Sequence, residues 1–381
     1  MVQTILFDVD GVLLSEERYF DASALTVWEL LYSENYLGIA PEKFKTSYSD
    51  EEIASIRKQV FEEADQVLKF FKSRGLNANW DMIYIAFSYQ LIHLLSQIKD
   101  QEHSQIVNWF ENEMDRKTLL EIKDVLKRYK LEIDFSKLLE DFKKFPQAKR
   151  ELFIVLDKLA EEKLGVQSEI FKQKGSLWSI CEHCSQEWYV GDKNILASTG
   201  RASVQTGKKG FLDDEKVLAK PEEIADLFQF LRESGISIGI GTGRPELETI
   251  EPFAALGWLD QFDVQHIVTA DDVLKAENTR GSGISLSKPH PFTYLMALKG
   301  KGAKVDEILN QTLPIEYGNE VLVVGDSLAD LLAAQKMGCR FAAVLTGLSG
   351  KDARTEFEEH NAEIILDSVL DIKELITSIC K

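Results

Sequence analysis

The chain has 381 residues, 44% hydrophobic and 28% charged, the composition of a globular protein with room for two domains of roughly 100–200 residues each. Its 63 acids against 44 bases give a formal charge of −19, which argues against nucleic acid or an anionic lipid surface as a partner, since both require a basic face. The cysteines Cys181, Cys184, Cys339 and Cys380 are too sparse for a disulfide framework, and no basic-then-apolar leader opens the chain, so a cytoplasmic protein is expected.

The first element is the apolar run TILF, followed at once by Asp8, Asp10 and Gly11. A buried strand that ends in two acids and a glycine delivers carboxylates to a strand end. From about Ser15 to Lys220 no further run of this type occurs, and the patterns are helical. In SDEEIASIRKQVFEEADQVLKFFKSRG, Ser49 and Glu52 make a capping box, and Ile53, Ile56, Val60, Ala64, Val67 and Phe71 form one apolar stripe. Further helices are expected over 82–98, 105–114, 117–129, 135–145, 147–164 and about 176–189. The most apolar stretch, residues 82–95, is interrupted by Ser88, Gln90 and His93, too short and too polar to span a bilayer.

Residues 191–215 are rich in Gly, Ser, Thr and Lys and read as a loop. Its bases Arg201, Lys208 and Lys209 read first as a solvated basic loop, with contact to an anionic substrate as the sharper alternative. From Pro221 onward, helical patterns alternate with the apolar runs ISIGIG, VQHIVT, VLVVGD, FAAVLTG and AEIILD. Strands alternating with helices imply a parallel sheet covered on both faces. The expected architecture is therefore α/β: a Rossmann-like parallel core from residues 1–14 and 221–381, a large inserted helical domain over 15–190, and a connecting segment over 191–220.

In such a sheet, ligands bind beyond the carboxyl ends of the strands. There the sequence puts Asp8, Asp10 and Gly11; then Thr242, Gly243 and Arg244; then Asp326 and Asp330, with Lys288 between. Carboxylates crowded into one cleft repel unless something compensates them, and Mg²⁺ does so through oxygen ligands while leaving room for a phosphate. Asp8, the Asp10 carbonyl and Asp326 are natural ligands. A carboxylate can attack phosphorus, a second acid can protonate the leaving oxygen, and Lys288 and Thr242 can hold the transferring charge. Gly11 and Gly243 let backbone amides approach the phosphoryl oxygens.

DVDGV, the strand followed by TGR, SKPHP and VVGDSLAD, in this order, resemble the four motifs of the haloacid dehalogenase-like (HAD) hydrolase superfamily. The resemblance covers about the first 15 residues and the chain from Pro221, and it implies that the helical insertion is a cap. It further implies Asp8 as nucleophile and Asp10 as general acid/base. Phosphate binding falls to Gly11, Thr242, Gly243, Arg244 and Lys288, and metal binding to Asp8, Asp10, Asp326 and Asp330, the last through water. An acid two residues after the nucleophile favours phosphoryl transfer over carbon–halogen cleavage. The expected activity is Mg²⁺-dependent hydrolysis of a small phosphorylated metabolite, of the phosphoglycolate phosphatase kind. A phosphomutase of the β-phosphoglucomutase kind uses the same motifs, and a non-catalytic binding or regulatory protein retaining the fold is the alternative from another class. Oligomeric state is not legible. Cys181-Glu182-His183-Cys184 has no second pair and reads as a helical turn rather than a zinc site.

Overall fold

The computed structural model describes residues 1–76, 78–280 and 285–379; Cys380 lies outside them. Two compact units divide the chain, Arg18–Phe211 on one side and Met1–Glu17 with Leu212–Lys381 on the other.

The first unit is helical. Its helices are α1 (Glu17–Tyr32), α2 (Asp50–Phe61), α3 (Gln66–Ser73), α4 (Asn79–Ser96), α5 (Lys99–Glu111), α6 (Arg116–Leu126), α7 (Lys137–Lys143), α8 (Leu152–Leu164) and α9 (Ser176–Thr199). At the start of α2 the Glu52 N–H donates to Ser49 Oγ at 3.3 Å, and the Ser49 N–H donates to Glu52 Oε2 at 2.9 Å, the reciprocal pair expected from the sequence. The apolar stripe that reads as one helix is cut in two. Glu62, Ala64 and Asp65 have positive φ, and Arg57 grips Asp65 at 2.8 and 2.5 Å while reaching Asp21 at 3.0 Å. A bidentate guanidinium–carboxylate pair folds the turn back where periodicity alone would have continued the helix. Helix α4 is buried on nearly every side and packs on α8 and α9, so its apolar character serves a core. No helix among the described residues is long and apolar enough to cross a membrane.

Residues 191–215 differ from expectation. Helix α9 continues to Thr199 beyond a break at Gly191, and Gly200 caps it with φ +70°. A Cβ on Gly191 would lie 2.2 Å from the Lys209 carbonyl oxygen, so only glycine lets the two backbones meet. The segment returning past α9 is tied to it: Glu187 accepts from the Val204 and Gln205 N–H groups at 2.8 and 3.3 Å, and Asp192 Oδ1 accepts from the Ser203 hydroxyl at 2.7 Å. Residues 191–211 therefore belong to the helical unit.

The second unit is a six-stranded parallel sheet of β1 (Thr4–Phe7), β2 (Ser237–Gly241), β3 (Ile267–Val268), β4 (Val321–Gly325), β5 (Arg340–Val344) and β6 (Ile364–Leu366). The strand order is β3-β2-β1-β4-β5-β6, and Thr4 registers with Ser237 on one side and Val321 on the other. Its helices are α10 (Pro221–Glu233), α11 (Glu246–Ala255), α12 (Ala270–Arg280), α13 (Phe292–Lys299), α14 (Val305–Leu309), α15 (Leu328–Met337), α16 (Ala353–Glu359) and α17 (Ile372–Ile379).

Both faces of the sheet are covered. Ile5, Phe7, Leu322 and Val324 pack with Phe228 and Leu231 of α10 and Ile372 of α17, whereas Leu6, Val321 and Val323 pack with Leu295 of α13 and Leu331 of α15. Successive strand residues thus enter opposite cores, so the strands need continuous apolar runs, each large side chain contributing roughly 1.5–3 kcal/mol on burial. β3 is shorter than VQHIVT predicts. Val264–His266 is a tight turn begun by Asp263, whose Oδ1 accepts from the Gln265 N–H at 2.9 Å.

Candidate active site

β1 sits between β2 and β4, the place where strand order reverses and a crevice opens at the carboxyl ends. Asp8 follows β1 directly, Thr242 follows β2, and Asp326 follows β4. Lys288 precedes α13, and Asp330 lies in the first turn of α15, where Ser327 caps the helix.

Lys288 Nζ donates to Asp8 Oδ1 at 2.9 Å and to Asp330 Oδ1 at 2.8 Å. Asp8 Oδ1 also accepts from the Val9 N–H at 2.8 Å. Tyr294 Oη donates to Asp330 Oδ1 at 2.7 Å, and the Ser327 hydroxyl donates to Asp330 Oδ2 at 2.6 Å. Asp330 is thereby engaged on both oxygens and acts first as an anchor for Lys288. One carboxylate oxygen from each of Asp8, Asp326 and Asp330 lies within 4.8 Å of the others, which joins residues more than three hundred positions apart.

The electrostatics follow from burial. Loss of water pushes the Asp8 carboxyl up to about 7, Lys288 pulling it down and Asp330 and Asp10 pushing it further up. Burial disfavours the charge on Lys288, but Asp330 and Asp8 outweigh that and hold the amine protonated. Burial raises Asp326 well above the ordinary carboxylate range, and Asp330, Asp8, Glu16 and Asp10 all push the same way.

Asp326 lies in a glycine cradle. A Cβ added to Gly11 or to Gly347 would stand 2.0 Å from Asp326 Oδ2, and Gly11 has φ +69°. The Thr346 hydroxyl donates to the Gly11 carbonyl at 2.6 Å and closes the cradle. A crowded all-oxygen donor set with one lysine for three acids fits a hard divalent cation.

Thr242 is buried, and its Oγ1 accepts from the Arg244 N–H at 3.1 Å, which leaves its hydroxyl proton to donate. Gly243 beside it has open space on its Cα.

Three comparisons with known proteins bear on this arrangement. Residues 285–372 match the family described as HAD-hydrolase-like. An X-ray structure of a Northeast Structural Genomics Consortium target is 37% identical, with a TM-score of 0.90 over 99% of both chains. Phosphoglycolate phosphatase from Pectobacterium atrosepticum is 27% identical over 174 residues, 46% of this chain and 58% of the relative. The chain belongs to the HAD-like hydrolases. The enzyme of that name from Yersinia pseudotuberculosis is 26% identical over 176 residues, 46% of this chain and 60% of the relative. The match thus spans less than two thirds of these relatives.

Two expectations for this HAD-like chain need correction. Arg244, assigned to phosphate, is buried and bound to carboxylates: Nη2 reaches Asp10 Oδ1 at 2.6 Å, Nε reaches the same oxygen at 2.8 Å, and Nη1 reaches Glu215 Oε1 at 2.7 Å. The Gly11 N–H, also assigned to phosphate, donates to the Leu14 carbonyl at 2.8 Å, and the Asp10 side chain, held by that guanidinium, is absent from the three-carboxylate cluster.

Tyr294, Glu215 and Thr346 escape sequence reading. Tyr294 looks like a core aromatic of α13, and Glu215 looks like one acid among several in a polar loop; only the fold shows what each touches. Lys208 also departs from expectation. It is fully buried in the helical unit between Glu29 and Glu187, at 2.7 and 2.5 Å, while Arg201 is exposed near Glu182 at 3.6 Å and Lys209 is exposed. Cys181 and Cys184 are buried free thiols, in keeping with a helical turn.

Proposed function

We propose that this chain is a Mg²⁺-dependent phosphatase that hydrolyses a small phosphate monoester through an aspartyl phosphate on Asp8. The observation that carries this reading is the junction of Asp8, Lys288, Asp330 and Asp326 at the ends of β1 and β4. Lys288 at 2.9 Å from Asp8 Oδ1 orients the nucleophile and neutralises charge on the transferring group. Asp8 and Asp326 are the direct metal ligands with the Asp10 carbonyl, and Asp330, already engaged on both oxygens, supports them from behind. When bound, Mg²⁺ supplies positive charge against the carboxylates and the phosphoryl oxygens.

Thr242 donates its hydroxyl proton to a phosphoryl oxygen, and the Gly243 amide approaches another. Asp10 protonates the leaving oxygen and then takes a proton from the attacking water. The names of the phosphoglycolate phosphatase relatives support a small phosphorylated metabolite as substrate, and we place the protein in the cytoplasm, where buried free thiols persist.

The test is phosphate release from a panel of phosphorylated metabolites with Mg²⁺. Release from at least one small monoester, lost on adding a chelator, is the expected result. Turnover that requires a bisphosphate and yields no free phosphate would replace the reading with a mutase.

A further inference from the structure

We infer that Arg244 is the positioning residue for Asp10, that Glu215 holds Arg244 in place, and that together they leave Oδ2 as the proton-carrying oxygen of Asp10. This rests on the phosphatase reading above and assigns residues that reading does not use.

The contact geometry carries the inference. A guanidinium that only neutralises a carboxylate commonly pairs fork to fork, one N–H on each oxygen. Here Nε donates to Oδ1 at 2.8 Å and Nη2 makes an ion-pair contact with the same oxygen at 2.6 Å. With the Nε–H donor and the guanidinium charge both gathered at Oδ1, an added proton goes to Oδ2. The other side of the guanidinium is fixed as well: Nη1 donates to Glu215 Oε1 at 2.7 Å and to the Glu248 carbonyl at 3.2 Å. Arg244 and Glu215 side chains are 1% exposed, whereas the Asp10 side chain is 29% exposed. The acid therefore stands at the edge of the network, toward water, and its two supports stand behind it.

The backbone reinforces this arrangement. Asp10 and Leu14 form a bridge, and Leu14 bridges in turn to Val217. The Ser15 N–H donates to the Lys216 carbonyl at 2.7 Å, and the Leu218 N–H donates to the Leu13 carbonyl at 3.2 Å. The segment carrying Glu215 is thus stitched to the turn carrying Asp10, and Arg244 spans the two through side chains. Three stretches far apart in sequence fix one carboxylate, a degree of support that a proton-transfer group requires.

In the first step the Asp8 carboxylate attacks phosphorus, the ester P–O bond breaks, and the Oδ2 proton of Asp10 passes to the leaving alkoxide. In the second, ionised Asp10 takes a proton from water as its oxygen attacks phosphorus. The P–O bond to Asp8 breaks, and phosphate leaves with Asp10 again protonated. Both transfers need Oδ2 aimed correctly.

The experiment uses the full chain with Mg²⁺, the variants Arg244→Lys and Glu215→Gln, and two substrates: an alkyl phosphate, and 4-nitrophenyl phosphate, whose leaving group needs no proton. Each variant is expected to lose on the order of 10²-fold in kcat on the alkyl phosphate, the usual contribution of general acid–base catalysis, with KM little changed. On 4-nitrophenyl phosphate the first turnover stays fast, so about one nitrophenolate per protein appears in a burst before slow turnover. Unchanged kcat on the alkyl phosphate overturns the inference. So does a first turnover slowed as much as alkyl turnover, or a rise in KM with kcat kept, which would mark Arg244 as a substrate contact. Should Arg244→Lys fail to fold, as judged by its melting curve, Glu215→Gln alone decides. Failure of the phosphatase reading is separately visible, because wild-type protein would then release no phosphate from either substrate.

Discussion

Each unit buries a lysine between two carboxylates, and the two clusters differ in what surrounds them. In the sheet unit Lys288 lies between Asp8 and Asp330 at 2.9 and 2.8 Å, with side chains 12%, 10% and 0% exposed. In the helical unit Lys208 lies between Glu29 and Glu187 at 2.7 and 2.5 Å, with all three side chains 0% exposed. Backbone N–H groups of Val204 and Gln205 complete Glu187, and the Trp188 ring lies 5.2 Å from the lysine Nζ. That cluster is closed, and it fastens a chain segment to α9. The sheet cluster has Asp326 as an additional acid and a carboxyl, Asp8, that burial pushes up to about 7. The two clusters share a charge pattern and differ in exposure and in the third acid: Asp8 keeps some contact with water, whereas every member of the helical cluster is sealed.

The comparison breaks most sharply at Asp8. Asp8→Asn is expected to lower phosphate release by at least about 10⁴-fold, the scale of removing a nucleophile, while the melting temperature stays within a few degrees because Lys288 keeps Asp330. Retained turnover measured on the best substrate would dismiss the nucleophile.

The closed cluster answers in stability. Lys208→Met strands two buried carboxylates and is expected to cost about 3–5 kcal/mol in urea unfolding. Adding Glu29→Gln to that variant removes one stranded charge and recovers part of the loss. Additive effects of the two substitutions would deny the coupling.

The sheet cluster is expected to respond to metal. At a Mg²⁺ concentration 100 times its dissociation constant, binding to the folded state alone adds about 2.7 kcal/mol. Calorimetry with and without a chelator should show the corresponding rise in melting temperature, and Asp326→Asn should abolish it. An equal rise in both proteins would place the metal elsewhere.

Asp157 of α8 is a half-buried acid that, among the described residues, no lysine clamps. Burial pushes its carboxyl up to about 6, against a backbone N–H from Phe171, with Glu169 pushing up and Lys172 pulling down. A raised carboxyl favours the folded state in its protonated form, so this contribution is complete below about pH 4 and is lost as pH rises through about 6. Discounted for its partial exposure, Asp157→Asn is expected to stabilise the protein by about 1 kcal/mol at pH 7.5 and by nothing at pH 4, read from urea midpoints at the two values. Equal effects at both pH values would exclude the carboxyl as the cause.

Much of the sheet unit was legible before its coordinates. Strands buried on both faces must be continuously apolar, so TILF, SIGIG and VLVVG announce themselves, and acids at their ends fall at the strand termini by construction. Asp8 and Asp326 were recoverable because each directly follows such a strand, Asp330 because it lies in the turn after one, and Lys288 through the resemblance of SKPHP to a family motif. The partners of Arg244 were not, because a guanidinium after a strand reads alike whether it faces a phosphate or two carboxylates. The break between α2 and α3 and the burial of Lys208 were hidden for the same kind of reason. Arg57 with Asp65, and Lys208 with Glu29, are pairings across sequence distance that local periodicity does not carry.

Local pattern alone thus determined the α/β core, the helical insertion and the acids at the strand ends, since hydrophobic period and chain order encode them directly. Which carboxylates share an ion, which one Arg244 holds, and which lysine is sealed away were decided by tertiary structure. Charge pairing depends on distance in space and on the loss of water around the pair, and a linear sequence records neither.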